Sequence, residues 1–125
     1  MNLMGLVTGN ASEVSVKKLT QEFAPFLVEG EQVLAGYAVL RDTFVFTNKR
    51  LVLVDVQGAS GKKREYITIP YKNILRFSKE SKGTFDMDSE LKIWVRGSSA
   101  PISKSFRKDS NVDDIYRILS QAVLD

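Results

Sequence analysis

The stretch from residue 37 to residue 55 constrains the fold more than any other part of the chain. Its sequence, YAVLRDTFVFTNKRLVLVD, is rich in the Val, Phe and Tyr residues that favour a half-buried pleated surface. Two polar pairs, Arg41-Asp42 and Asn48-Lys49, interrupt it, and Asn tolerates the backbone conformation of a tight hairpin turn. The stretch therefore predicts three consecutive antiparallel strands, at Val33–Leu40, Thr43–Thr47 and Leu51–Val56.

Four more strand patterns follow these three, separated by short polar or glycine-containing segments. Pro70 marks the end of the first, because proline cannot donate a hydrogen bond to a sheet ladder. In the third, apolar residues at positions 91, 93 and 95 alternate with longer polar or aromatic side chains, as in a half-buried strand. We predict these strands at Glu65–Pro70, Ile74–Lys79, Ser89–Arg96 and Pro101–Phe106.

Two amphipathic helices flank the strands. The first is predicted over Ser12–Leu27, with Ser12 or Ser15 as the N-cap and with Pro25 ending or kinking it near Ala24. Its polar face mixes both charges, which favours packing on the sheet of the same chain over binding to a membrane surface. The residues before it form an apolar arm that either packs on a neighbouring subunit or frays as a terminus.

The second helix is predicted over Val112–Leu124, with Asn111 as its N-cap. Aspartates at positions 113 and 114 suit its first turn, where the helix dipole favours negative charge. Strands followed by a helix predict an α+β, mainly β fold: a small antiparallel barrel or sandwich of about seven strands, capped by the C-terminal helix. We expect one domain over residues 1–125, with the arm and first helix in 1–30 and the barrel and last helix in 31–125.

The composition excludes several classes of function. The 125 residues include neither cysteine nor histidine, which removes thiolate chemistry, disulfides and the commonest general base and metal ligand. The net charge is only +3 and acidic residues lie close to basic ones, so we expect no nucleic-acid partner.

No apolar run approaches the roughly 20 residues that span a bilayer. The start lacks the features of a signal peptide, so we expect a cytoplasmic location.

Several blocks of the sequence carry a resemblance to a known family. They are RDTFVFTNKRLVLVD at 41–55, GKKREYITIPYKNI at 61–74, ELKIWVRGSS at 90–99 and the N-terminal GLVTGNASEV. Together they resemble the bacterial pleckstrin-homology (PH) family, and the resemblance covers nearly the whole chain. It implies two bent, roughly orthogonal antiparallel sheets capped by the C-terminal helix. It also implies ring-shaped homo-oligomers, often pentameric, and carries no catalytic mechanism.

The loop between the first two strands departs from the wider superfamily. PH domains that bind phosphoinositides use basic residues around this loop. Here the loop is little more than Arg41-Asp42, with one basic residue beside an acidic one. We therefore expect the usual inositol-phosphate pocket to be absent.

The sequence also predicts an interaction surface. Strands two and three are apolar on both faces, so both faces must be covered. One face is the barrel core, and the other needs the N-terminal helix or a second subunit. Trp94 points away from the core, either into an interface or under a helix or loop of the same chain, of which the N-terminal helix is the first candidate. The predicted oligomer or partner interface comprises Phe44, Phe46, Leu51, Leu53 and Trp94.

A basic run, Lys62-Lys63-Arg64, is the second candidate site. It predicts contact with an anionic lipid or with an acidic patch on a partner, since each basic residue contributes roughly 1 kcal/mol near a charged membrane. The alternative is a solvated turn, because the run follows a glycine-containing loop.

No catalytic or metal site is predicted. Asp86, Asp88 and Glu90 are spaced like calcium ligands, but the remaining ligands and the glycine of an EF-hand loop are missing, so a polar loop explains them better. Aspartates at 109, 113 and 114 are explained by the helix N-terminus. Serines at 98, 99, 103 and 105 lie near Lys104, but nothing indicates a strained nucleophile turn.

We therefore expect a non-enzymatic, PH-like interaction module without cofactors. It should assemble into a homo-oligomeric ring, for which the resemblance suggests five subunits, and serve as a scaffold for a protein partner. The alternative expectation is a peripheral domain that binds anionic membranes.

Overall fold

The fold is taken from a computed structural model of the chain. The structure describes residues 7–8, 11–39, 41–81, 89–106 and 112–124. Asp86 and Asp88, which have the spacing of calcium ligands but were assigned to a polar loop, lie outside the described residues, as do Asp109 and the predicted cap Asn111.

Two antiparallel sheets form the body of the molecule. Sheet one has six strands in chain order, and its first two strands are only two and three residues long. The strands are β1 (Val7–Thr8), β2 (Ala11–Glu13), β3 (Val33–Val39), β4 (Asp42–Thr47), β5 (Arg50–Gln57) and β6 (Lys63–Pro70). Sheet two has three strands, β7 (Ile74–Ser81), β8 (Ser89–Val95) and β9 (Ile102–Phe106).

Within each sheet the strands pair in chain order. The connection between β2 and β3 is the one that contains α1. A 3₁₀ turn at Tyr71–Asn73 carries the chain from sheet one to sheet two. The seven predicted strands are confirmed as β3–β9, and the predicted mainly β fold with helices at both ends is confirmed with them.

The helices are α1 (Val16–Phe23) and α2 (Val112–Val123). Ser15 caps α1, since its side chain accepts a hydrogen bond from the Lys18 amide at 3.2 Å. The helix ends before Pro25, as predicted. Its predicted start at Ser12 is wrong: residues 11–13 form β2, which pairs with the far end of β3. None of the described helices is long and apolar enough to cross a bilayer.

The main core lies between the inner faces of the two sheets and α2. Apolar side chains alternate into it along each strand, because successive side chains of a strand point to opposite faces. It includes Tyr37, Phe44, Phe46, Leu51, Leu53, Ile69, Leu91, Ile93, Phe106, Ile115 and Leu119.

A second, smaller core lies on the outer face of sheet one. Here Leu19 and Phe23 of α1 cover a layer of buried valines from β3, β4 and β5. The layer consists of Val33, Val45, Val52 and Val54. The second apolar face of these strands is therefore covered by a helix of the same chain.

These two cores correct the predicted interface. Phe44, Phe46 and Leu51 are fully buried, and Leu53 is 6% exposed. All four lie in the main core and are nearly or fully inaccessible to solvent, so their assignment to an oligomer interface is wrong. The physical reason is that the sequence shows two apolar faces but not which of them meets α2 and which meets α1.

Gly36 fixes the position of α1 on sheet one. A Cβ at this residue would lie 2.2 Å from Cδ1 of Leu19, far inside van der Waals contact. The Leu19 side chain therefore occupies the space that any other residue at position 36 would fill.

Candidate functional site

Trp94 lies on the outer face of sheet two. Its neighbours Ile93 and Val95 turn towards the core, so strand alternation directs the indole outwards. The predicted alternative was that a helix or loop of the same chain covers it, with the N-terminal helix as the first candidate. The N-terminal helix does not cover it, because α1 packs on sheet one instead.

Arg76 covers one side of this indole. The strand register places Arg76 of β7 opposite Trp94, and the guanidinium carbon lies 4.3 Å from the ring centroid. This is a cation–π contact, and the pair is still partly exposed to solvent. A β-bulge interrupts the ladder beside it, and the bulged Leu75 is 57% exposed.

Polar residues surround this pair along the same face. The Glu90 carboxylate accepts a hydrogen bond from the Ser103 hydroxyl at 2.6 Å and lies 3.7 Å from the Lys92 ammonium. The outer face of sheet two is thus a polar surface with an exposed leucine and one Trp–Arg pair. Trp and Arg are the residue types that most often carry binding energy at interfaces.

The basic run does not form a single patch. Lys62 and Lys63 are exposed, but Arg64 lies 3.7 Å from Glu22 of α1. Because adjacent residues of a strand face opposite ways, Lys63 and Arg64 lie on opposite faces of β6. Arg41, in the short loop between β3 and β4, donates a hydrogen bond to the carbonyl of Gly58. These cations therefore do not converge on one position.

A buried ion pair joins the segment after α1 to the β4–β5 hairpin. The carboxylate of Glu31 accepts two hydrogen bonds from the Arg50 guanidinium, both at 2.8 Å. It also accepts from the Thr47 hydroxyl at 2.7 Å and the Val28 amide at 3.1 Å. These hydrogen bonds, above all those from Arg50, outweigh the effect of burial and lower the pKa of Glu31 to about 2.

This ion pair is a structural element rather than an anion site. Arg50 also donates to the Phe26 carbonyl at 3.0 Å and the Thr68 hydroxyl at 3.2 Å. Most of the hydrogen-bond donors of its guanidinium are therefore bonded within the chain. It forms one wall of a pocket of about 190 Å³ under the rings of Phe23, Phe26 and Tyr66. No sequence pattern identified the pair, because its partners lie 19 residues apart with β3 and β4 between them.

The remaining candidates have structural partners. Lys104 lies 2.6 Å from Asp42, so it is an ion-pair partner rather than a base for the nearby serines. Asp113 contacts Lys79 at 2.6 Å, and Asp114 contacts Arg117 at 3.2 Å. Within the described parts of the chain, no three acidic residues are grouped as metal ligands.

Both the sequence and the fold of this chain are similar to those of known proteins. The model of the bacterial PH domain family matches residues 2–123, and the chain therefore belongs to that family. An uncharacterized Bacillus subtilis protein, YjqA, is 50% identical over 121 residues, covering 96% of this chain and 97% of YjqA.

Two solved structures have the same fold. One is a DUF1696 family protein with a pleckstrin-homology domain from Shewanella loihica, with a TM-score of 0.83 and 46% identity over 93% of this chain and 99% of that one. The other is a pleckstrin homology domain from Shewanella amazonensis, with a TM-score of 0.83 and 42% identity over 89% of this chain and 100% of that one. The chain is thus a PH-like domain, and the PH fold by itself assigns no activity.

Proposed function

We propose that this chain is a non-catalytic interaction module in the cytoplasm. It assembles with copies of itself into a closed ring, and the ring serves as a scaffold for a protein partner. The family resemblance favours five subunits. The observation that carries the proposal is the half-exposed Trp94–Arg76 pair on the outer face of sheet two.

The geometry of this pair supports a role in protein contacts. The cation–π contact holds both side chains in place before binding, so little conformational entropy is lost when a partner covers them. Leu75 adds an exposed apolar group next to Arg76, and Glu90 and Lys92 supply polar groups further along β8. A central aromatic and arginine surrounded by polar groups is the usual composition of an interface hot spot.

Light scattering behind size-exclusion chromatography tests the assembly. We expect the wild-type chain to elute as one discrete species whose mass is a whole multiple of the chain mass. Trp94→Ala should weaken assembly by about 30-fold or more, the effect of losing one aromatic hot spot. The matched control is Leu34→Ala, which removes a side chain that is 47% exposed on sheet one.

Two results would contradict the proposal. One is a wild-type monomer at micromolar concentration. The other is an oligomer that Trp94→Ala and Leu34→Ala affect equally. Circular dichroism of both variants separates loss of assembly from loss of folding.

Binding to anionic membranes is a second candidate, favoured by the exposed Lys62 and Lys63. Against it, Arg64 is paired with Glu22, and β6 continues with Glu65. Sedimentation with phosphatidylserine vesicles at low salt tests it, since such binding is electrostatic. A membrane role predicts that reversing the charge of Lys62 and Lys63 abolishes sedimentation while Lys49→Glu does not. Wild-type protein that stays in the supernatant would exclude it.

A further inference from the structure

A second pocket opens between the inner face of sheet one and β9. Its volume is about 170 Å³. An engineered protein cavity of about 150 Å³ holds benzene, so this pocket is large enough for one small ring or a short alkyl chain. Its apolar wall consists of Phe44, Leu53, Ile67 and Ile102.

Carboxylates line the rim of this pocket. Asp42 accepts hydrogen bonds from the Lys104 ammonium at 2.6 Å and from the Val56 amide at 3.1 Å. Burial raises the pKa of Asp42, but hydrogen bonding with Lys104, the Val56 amide and the neighbouring Asp55 carboxyl group, together with the Lys104 charge, outweighs it and holds the pKa below its ordinary value. Asp55 is the second rim carboxylate, and it accepts from the Gln57 side-chain amide at 3.0 Å.

Negative charge exceeds positive charge at this rim. Glu65 lies opposite Asp55 across the β5–β6 ladder, and its carboxylate is 3.5 Å from the same Gln57 amide. Within the described residues, Lys104 is the one cation that forms an ion pair with these three carboxylates. Lys63 is exposed one rung further along the ladder.

Lys104 shows how the pocket accommodates a cation. Its ammonium contacts Asp42, while the rest of its side chain lines the pocket beside Ile102. A side chain with an apolar stem and a charged end thus already suits this site. The Asp55 carboxylate has no cation partner among the described residues.

We infer that this pocket binds an organic cation, an ammonium or guanidinium group on a short apolar stem. The stem lies against Ile67 and Ile102, and the cation faces Asp55. An anion is disfavoured because it would meet the rim carboxylates. A bare divalent metal is disfavoured because the apolar wall supplies too few oxygen ligands. The inference is independent of the proposed ring.

NMR titration of the full chain with phenethylammonium tests the site. We expect saturable shifts of the backbone amides of Ile67 and Ile102 that weaken with added salt. Phenylacetate and 2-phenylethanol, which have the same ring but a negative or neutral end, should bind at least about fivefold more weakly, the effect of losing one charge contact.

Nα-acetyl-lysine N-methylamide tests a protein side chain as the source of the cation. Tighter binding of this amide assigns the site to a protein partner, and tighter binding of phenethylammonium assigns it to a free amine.

Three variants locate the site. Asp55→Asn should weaken phenethylammonium binding about fivefold or more without unfolding the chain. Ile102→Phe should fill the pocket and abolish binding. Glu80→Gln, which removes an exposed carboxylate from sheet two, is the matched control and should change nothing. Equal binding of all three phenyl compounds, unchanged binding by Asp55→Asn, or shifts confined to Phe26 and Tyr66 would overturn the inference.

Discussion

At the scale of single residues, Gly36 and Leu19 form the most specific contact in the molecule. Leu19 fills the space above a glycine in the middle of β3, and a methyl group at position 36 would overlap it. Glycine weakens a strand interior, so its presence here reflects the close approach of α1 rather than backbone preference. The sequence gives no sign of this role, because the contact depends on how the helix lies on the sheet.

Gly36→Ala should therefore destabilise the fold by about 1–3 kcal/mol, the usual cost of overpacking. Urea denaturation followed by circular dichroism measures the change. Leu19→Ala alone should cost about 2–5 kcal/mol. In the Leu19→Ala background the added methyl group no longer meets a neighbour, so Gly36→Ala should then cost much less. Additive effects of the two changes would show that they do not act through this contact.

At the scale of elements, the sequence predicted the long strands but neither the short strand β2 at the edge of sheet one nor the role of each apolar face. Alternation and turn residues are local signals, and they identified all seven strands from β3 to β9. The short β2 was instead assigned to the helix, because its strand character comes from pairing with residues 37–39, far along the chain. The apolar faces of β4 and β5 were recognised, but their assignment to core or interface required the positions of both helices.

The segment between α1 and β3 is attached to the β4–β5 hairpin by Glu31, and this attachment depends on pH. The folded-state pKa of Glu31 is about 2, against 4.5 for an unperturbed glutamate. As the pH falls, the unfolded chain takes up this proton first. The stabilisation is therefore fully present above about pH 4.5 and is lost as the pH falls towards 2. Its size is about 3 kcal/mol, because each pKa unit corresponds to about 1.4 kcal/mol.

Glu31→Gln should lower the free energy of unfolding at neutral pH by about 3 kcal/mol, since it leaves Arg50 without its anion. It should also flatten the dependence of stability on pH below 4.5. Urea titrations at several pH values measure both effects. The exposed neighbour Glu29 provides the control, and Glu29→Gln should reproduce the wild-type profile. A pH profile of Glu31→Gln as steep as that of the wild type would contradict this assignment.

At the scale of the whole molecule, one chain covers both faces of its larger sheet. The main core and the layer under α1 together enclose the apolar residues of β4 and β5. Among the described residues, neither face of sheet one is left as a large apolar surface that requires a second subunit. Any assembly through the outer face of sheet two must join chains that are already folded, and its interface must be of the mixed polar and apolar kind.

Assembly of folded chains predicts a concentration-dependent melting temperature. Assembly involves only the folded chains, so by mass action it stabilises the folded state. The Tm of the wild-type protein should therefore rise when the protein concentration is raised. Trp94→Ala should melt at a temperature that does not depend on concentration. Differential scanning fluorimetry over a hundredfold range of concentration makes the comparison, with Leu34→Ala as the control that keeps the wild-type dependence. A flat wild-type profile would argue against assembly.

The strict chain order of the strands has a consequence for how the protein is made. Within each sheet the strands pair in chain order, and apart from the β2–β3 pair, which spans α1, no pairing reaches past the next strand in sequence. Local pairings of this kind favour rapid folding and limit the time that unpaired edges are exposed. During synthesis each new strand can join the growing sheet as it leaves the ribosome. Closure of the main core waits for α2, which follows β9 in the sequence.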